Sequence, residues 1–292
     1  MIRGCATALV TPFTEKGELD EEGLRTLVGF QEAQGVDYIV PCGTTGESAT
    51  LTHAEHLKVI KIVMDQVKRA KVIAGAGSNA THEAIVLSKG AKDMGVHAIL
   101  SISPYYNKPT QKGIFRHYEA IAKAVDASII IYNVPGRTGS NINPSTVLKL
   151  AEVPNIIGIK EASGNLAQIM AILGSAPKGF SVISGDDAFT YPMIALGANG
   201  VISVASNVVP NEVSRMVHSA LEGRWEEARK IHYRLLPLFN NLFIETNPIP
   251  AKTALRLMGK PAGSFRLPLC DMEPANLEVL KKTLLDLGII DK

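Results

Sequence analysis

Eight short apolar runs, each rich in Ile, Val or Ala, recur at residues 7–10, 37–41, 71–75, 98–101, 128–132, 156–160, 181–184 and 200–204. None alternates polar with apolar residues, so each reads as a strand covered on both faces, as in a parallel sheet. Their starts lie about 20 to 35 residues apart, room for a strand, a loop, a helix and a return. The stretches between them carry helical spacing: Leu24, Leu27, Val28 and Phe30 in 24–34; Leu57, Ile60, Val63 and Met64 in 53–68. In 81–94, Thr81 is a candidate cap ahead of Ile85, Val86, Leu87 and Ala91. Eight such units close most economically into a barrel. An open doubly wound sheet is the alternative, but no full G-x-G-x-x-G follows the first run.

After about residue 208 the strand signal stops, and 211–222, 226–243, 250–258 and 274–287 read as helices. No Gly/Ser/Pro-rich linker sets them apart. The expected fold is therefore α/β, a (β/α)8 TIM barrel over residues 1–224, with a C-terminal helical region over 225–292 packed on it.

Composition narrows the function. The 30 basic and 28 acidic residues are spread along the chain with a net charge of +2, and no basic run interleaved with aromatics points to nucleic acid. No window approaches the ~18 apolar residues of a membrane span. The strand-like run reached by Ala6 leaves no room for a signal peptide. Cys5, Cys42 and Cys270 make neither a disulfide framework nor a zinc spacing, so a reduced, cytoplasmic protein is expected.

The sixth run ends on Lys160. An ammonium at the rim of an apolar wall loses hydration, which favours the neutral amine that can attack a carbonyl. The plainer reading is a lysine reaching into solvent from a strand end. The other strand ends tip the balance, because a barrel of this kind carries its chemistry on the loops after its strands. The fifth run ends on Tyr132, one strand from Lys160, where a phenol can shuttle the protons of imine formation. Arg137 rides the Pro135-Gly136 turn, suited to gripping a carboxylate. Thr44 and Thr45 sit between Gly43 and Gly46, a loop that suits an anion or simply caps a helix. Tyr105 and Tyr106, two of only seven tyrosines, stand between prolines as a stiff projection or a buried aromatic corner.

Two groups of residues invite a metal. Asp186 and Asp187 invite Mg²⁺, but adjacent strand residues face opposite ways, and a helix cap suits one of them better. His53 and His56 share a helix face, yet H-A-E-H is not H-E-x-x-H and no further ligand is evident. No metal site is expected.

With these residues in place, G-T-T-G-E at Gly43–Glu47, Y-N-x-P at Tyr132–Pro135 and G-I-K-E at Gly158–Glu161 resemble the pyruvate-dependent class I aldolase/lyase family. The runs S-P-Y-Y-N-K-P, N-V-P-G-R-T, S-G-D-D and N-P-I-P-A-K extend the resemblance over essentially the whole chain and point to the dihydrodipicolinate synthase branch. That resemblance implies an imine between Lys160 and pyruvate, with no cofactor, and a relay of Tyr132, Thr44 and Tyr106, the last from a neighbouring subunit. It implies that Thr45, the backbone at Ile202 and nearby Gly185 surround the pyruvate carboxylate and imine. Arg137 would hold the carboxylate of L-aspartate 4-semialdehyde. It further implies a homotetramer and inhibition by L-lysine through Ser48, Ala49, His53, His56, Asn79, Glu83 and Tyr105. Sialate lyases and keto-sugar-acid aldolases of the same family are the alternative; the former usually show Ser-Thr in place of Thr44-Thr45 and lack an equivalent of Arg137, and the latter usually lack the N-V-P-G-R-T run.

Overall fold

In the computed structural model, which describes residues 1–291, the strands close into one barrel in chain order. They are β1 (Gly4–Ala8), β2 (Tyr38–Val40), β3 (Lys71–Gly75), β4 (Ala98–Ile102), β5 (Ile129–Asn133), β6 (Ile156–Glu161), β7 (Ser181–Ser184) and β8 (Gly200–Ser203). Every neighbouring pair is parallel, and β1 closes the ring on β8. The first strand begins at Gly4, earlier than the apolar run suggests. Gly4 and Cys5 are taken up by pairing with Gly200 and Val201, and the Cys5 N–H donates to Asp37 (2.8 Å). At this closure a Cβ on Gly200, whose φ is +148°, would lie 1.9 Å from the Gly4 carbonyl oxygen, so only glycine fits.

The helices between and beyond the strands are α1 (Glu21–Ala33), α2 (His53–Gln66), α3 (Thr81–Asp93), α4 (Gln111–Ala124), α5 (Pro135–Thr138), α6 (Pro144–Leu150), α7 (Leu166–Leu173), α8 (Asp187–Ala195) and α9 (Pro210–Leu221). The start of α3 differs from the sequence reading. Ala80 holds the cap position without a side-chain bond, and the Thr81 hydroxyl, already inside the helix, pairs with His117 Nδ1 (2.9 Å).

Strand parity divides the apolar residues into two layers. Ala6, Val40, Ile73, Leu100, Ile130, Tyr132, Ile183 and Ile202 fill the barrel, while Ile39, Val72, Ile99, Ile131, Ile159 and Val182 join the core under the helices. Because successive strand residues alternate sides, the outward Ile159 forces Lys160 inward. Lys160 is the register partner of Tyr132 on β5 and of Ile183 on β7. Two strands thus bring an amine and a phenol side by side at the inner rim.

The remaining helices are α10 (Trp225–Asn241), α11 (Ile249–Leu257) and α12 (Pro274–Asp286). Helix α10 packs on α8 and α9, and α12 lies on α10 and α11. Helix α11 sends Lys252, fully buried, to the loops at the strand ends. Its Nζ donates to Glu47 Oε1 (2.6 Å), the Thr11 carbonyl (3.0 Å) and the Ser264 carbonyl (2.6 Å). Three acceptors match the three N–H bonds of an ammonium. Glu47 is equally buried. A second tether lies further out, where Arg266 pairs with Glu55 of α2 (2.6 and 3.0 Å) over the Phe13 ring.

Removing one member of a buried ion pair leaves an uncompensated charge, at a cost of about 3–5 kcal/mol. Lys252→Met should therefore lower the unfolding free energy by about that much in urea titrations. The double variant Glu47→Gln/Lys252→Met should recover most of the loss. A single variant within about 1 kcal/mol of the parent would refute the claim that this pair holds α11 to the barrel.

Candidate active site

Lys160 is 5% exposed, and its Nζ lies 4.3 Å from the centre of the Tyr132 ring. Burial pulls the amine down to about 7; Arg137 adds to the effect and Asp187 opposes it. Near neutrality, then, a substantial fraction of Lys160 is uncharged and nucleophilic. The same burial raises the Tyr132 phenol, while Arg137 and the Thr44 hydroxyl hold it down. Gly185, just after β7, is shaped to the lysine: a Cβ there would lie 2.9 Å from Lys160 Cε and 2.7 Å from Ala162 Cβ. Any side chain at 185 would displace the amine.

The segment 43–48 after β2 presents Thr44 and Thr45. Thr45 is buried, and its hydroxyl oxygen accepts from Asn247 Nδ2 (3.0 Å). Arg137, on the single turn α5 started by Pro135, is exposed at the mouth and donates through Nη2 to the Asn247 carbonyl (3.1 Å). One of the five guanidinium N–H bonds is thereby used, and among the described residues no hydrogen bond engages the other four. Ile202 is fully buried in the barrel wall opposite Ala6.

Thr44, Ser48, Ala49, His53, His56, Glu83, Tyr105 and Arg137 line a single cavity of about 410 Å³, which Asn247 also borders. Lys160, Tyr132, Thr45, Gly185 and Ile202 are not among its lining residues; Tyr132 borders a smaller cavity of about 30 Å³ that shares Thr44 and Ser48 with it. Asn79 does not line the larger cavity; its carbonyl accepts from Asn107 Nδ2 (3.0 Å) beside the lining residues Gly77 and Ser78. Tyr106 stands apart from the site of its own chain, 89% exposed with φ +70°.

The aspartates and histidines also find places. Asp186 caps α8 by accepting from the Ala188 N–H (2.9 Å), as a helix-cap reading requires. Asp187 Oδ2 accepts from the Val204 and Ala205 N–H groups (3.0 and 2.9 Å), tying α8 to the end of β8. His53 is exposed, whereas His56 is buried with Nε2 on the Gly75 carbonyl at 2.6 Å, so the two rings do not converge. A carbonyl only accepts, which makes Nε2 the protonated nitrogen of His56. Burial lowers the ring's affinity for a second proton, and the Gly75 carbonyl opposes that effect. Among the described residues, no group of three or more His, Cys, Asp or Glu is placed to hold a metal ion. No helix among them is long and apolar enough to cross a membrane.

Sequence reasoning gave no role to Glu47, Asn247 or Lys252. The N-P-I-P-A-K run that holds the last two was their signal. Its partners lie about 200 residues away in the chain, a pairing only the folded molecule displays.

The chain matches the model of the dihydrodipicolinate synthetase family over residues 1–286. It is 53% identical over 291 residues to the 4-hydroxy-tetrahydrodipicolinate synthase of Syntrophotalea carbinolica, covering 99% of each chain. A crystal structure of dihydrodipicolinate synthase from Acinetobacter baumannii, chloride-inhibited and complexed with pyruvate, matches with a TM-score of 0.97. It is 43% identical, covering 99% of this chain and 100% of that one. A crystal structure of the synthase from Cyanidioschyzon merolae with lysine bound has a TM-score of 0.96 at 45% identity, covering 99% of both chains. With the full-length match and the barrel in agreement, the chain belongs to the dihydrodipicolinate synthetase family.

Proposed function

We propose that this chain is a lyase that joins pyruvate, held as an imine on Lys160, to L-aspartate 4-semialdehyde, the entry step of the diaminopimelate route to lysine. The observation that carries the reading is the buried amine of Lys160 beside the Tyr132 phenol, with the amine near 7. The neutral amine attacks the pyruvate carbonyl, and water leaves once protons reach the departing oxygen. Tyr132, backed by Thr44, moves those protons. The imine draws electrons from the pyruvate methyl group, which loses a proton. The resulting enamine forms a carbon–carbon bond to the aldehyde, and the substrate's own amine then closes the ring and displaces Lys160. The imine itself is the electron sink, so the scheme calls on no metal or organic cofactor.

Around this chemistry, Thr45 and the backbone at Ile202 receive the pyruvate carboxylate, and Gly185 leaves room for the imine. Arg137, exposed at the mouth, grips the carboxylate of the aldehyde. Tyr106 is too exposed to serve its own site, which supports its assignment to the relay of a neighbouring subunit in a homotetramer. The protein is assigned to the cytoplasm. L-Lysine is assigned to the outer part of the cavity, between Ser48, Ala49, His53, His56, Glu83 and Tyr105, with Asn79 adjoining. Glu83 would meet an ammonium there. The lysine-bound relative supports this assignment.

Borohydride added with pyruvate should place one stable adduct on Lys160, and the rate of trapping should rise with pH. The sign follows from the amine: below about 7 it is an ammonium without a lone pair, so the rate falls roughly tenfold per pH unit and levels off above. An adduct on another residue, or none, would sink the Schiff-base scheme.

Arg137→Ala should lower kcat/KM for the aldehyde by about 10- to 100-fold, the worth of a charged hydrogen bond, while trapping by pyruvate stays near parental. Unchanged use of the aldehyde would instead favour a sugar-acid lyase. Millimolar L-lysine should slow turnover and raise the melting temperature, and Glu83→Ala should weaken both effects. If lysine changes neither property of the parent enzyme, the regulatory assignment is wrong.

A further inference from the structure

Asn247 touches both proposed carboxylate grips, through different atoms. Its side-chain Nδ2 donates to the Thr45 hydroxyl (3.0 Å), and its main-chain carbonyl accepts from Arg137 (3.1 Å). A hydroxyl carries one hydrogen and two lone pairs. Because Asn247 donates into a lone pair of Thr45, the Thr45 hydrogen is not spent on Asn247. Asn247 Oδ1, meanwhile, is buried with no partner among the described residues. A buried orphan acceptor asks for an explanation; turned over, the amide would take the Thr45 hydrogen through Oδ1 and leave its NH2 group in the unpartnered position. We infer that Asn247 is a positioning residue for the reaction: its amide fixes the polarity of the Thr45 hydroxyl so that the hydroxyl donates to the carboxylate of the keto acid.

The inference rests on the reading of Thr45 as the pyruvate carboxylate ligand, and it separates the two substrates. A neutral truncation at 247 leaves the Arg137 bond in place, because Arg137 bonds to the main chain. The loop carrying Thr45 is held independently by the Lys252–Glu47 pair (2.6 Å), so its backbone has a second anchor when the amide is removed.

The test is steady-state kinetics of the full-length enzyme with both substrates. Asn247→Asp keeps the shape but makes the group an acceptor, which turns the Thr45 hydrogen away from the ligand and adds a like charge. Asn247→Ser removes the amide donor without adding charge. Each should raise KM for pyruvate at least about tenfold, the lower worth of a hydrogen bond to a charged group, while in Asn247→Ser the KM for the aldehyde changes less than about threefold. Trapping on Lys160 at saturating pyruvate should remain complete. Thr45→Val should raise the pyruvate KM similarly, and adding Asn247→Ser to it should cost little more, because both act through one hydroxyl. A pyruvate KM within about twofold of the parent in both Asn247 variants overturns the inference, as do parallel rises in both KM values in Asn247→Ser or additive effects in the double variant. If Asn247→Asp fails to fold, Asn247→Ser and the double variant decide. An unchanged pyruvate KM in Thr45→Val would overturn the underlying reading of Thr45, whereas a rise there with none in the Asn247 variants overturns the inference alone.

Discussion

The cost of burying an amine governs how the barrel mouth is built. Holding Lys160 at about 7 rather than at its ordinary 10.5 corresponds to roughly 5 kcal/mol of lost proton affinity. In the folded state the proton leaves near 7, whereas the unfolded chain keeps it to about 10.5. This residue's contribution to stability therefore grows as pH rises across that window. Below 7 the fold carries the full penalty of a desolvated ammonium. The surroundings limit that penalty without removing it. Asp187 favours the charged form, but it is committed through Oδ2 to two backbone N–H groups at the end of β8, and Arg137 pushes the other way. A carboxylate paired directly with the amine would have made the site more stable and chemically silent.

The helices beyond the barrel serve the mouth as much as they cover the wall. Cys42 and Glu47 both take positive φ (55° and 54°), backbone that a non-glycine residue adopts at some cost. Glu47 cannot be exchanged for an easier residue, because its carboxylate holds Lys252. Gly46 between them has its own reason: a Cβ would meet the Leu9 carbonyl at 3.0 Å and the Cys42 nitrogen at 3.1 Å. The segment carrying Thr44 and Thr45 is thus held, just after Thr45, by close packing at Gly46 and by the Glu47 ion pair to α11. Asn247, just before α11, reaches the middle of it. A surface loop anchored this way loses little further entropy when a ligand arrives, which is what preorganisation requires.

Much of this was legible in the sequence because a parallel barrel obeys two short-range rules. Apolar runs without alternation mark strands buried on both sides, and functional residues follow their C-terminal ends. Those rules place Lys160 beside Tyr132 and bring the threonine segment and Arg137 to the same rim. What stayed hidden was of two kinds. The start of β1 and the cap of α3 depend on partners remote in the chain, namely Gly200 and Asp37 in one case and His117 in the other. The contacts of Asn247 and Lys252 join residues about 200 positions apart, and no local periodicity encodes them.

The cavity has a consequence for regulation on the proposed reading. Substrate-facing Thr44 and Arg137 border the same space as Ser48, His56 and Glu83. The segment 44–48 joins the two ends over a few residues of constrained backbone. A ligand in the outer part can change the inner part only if it binds two arrangements of that segment unequally, since equal affinity shifts nothing. His56 helps fix which arrangement is available. Its neutral ring is held by the Gly75 carbonyl at the end of β3, and the Gly75 N–H is itself bonded to the Pro41 carbonyl at 2.9 Å, so ring and strand end move together. Linkage then demands symmetry: whatever factor the inhibitor takes from pyruvate affinity, pyruvate takes from the inhibitor's.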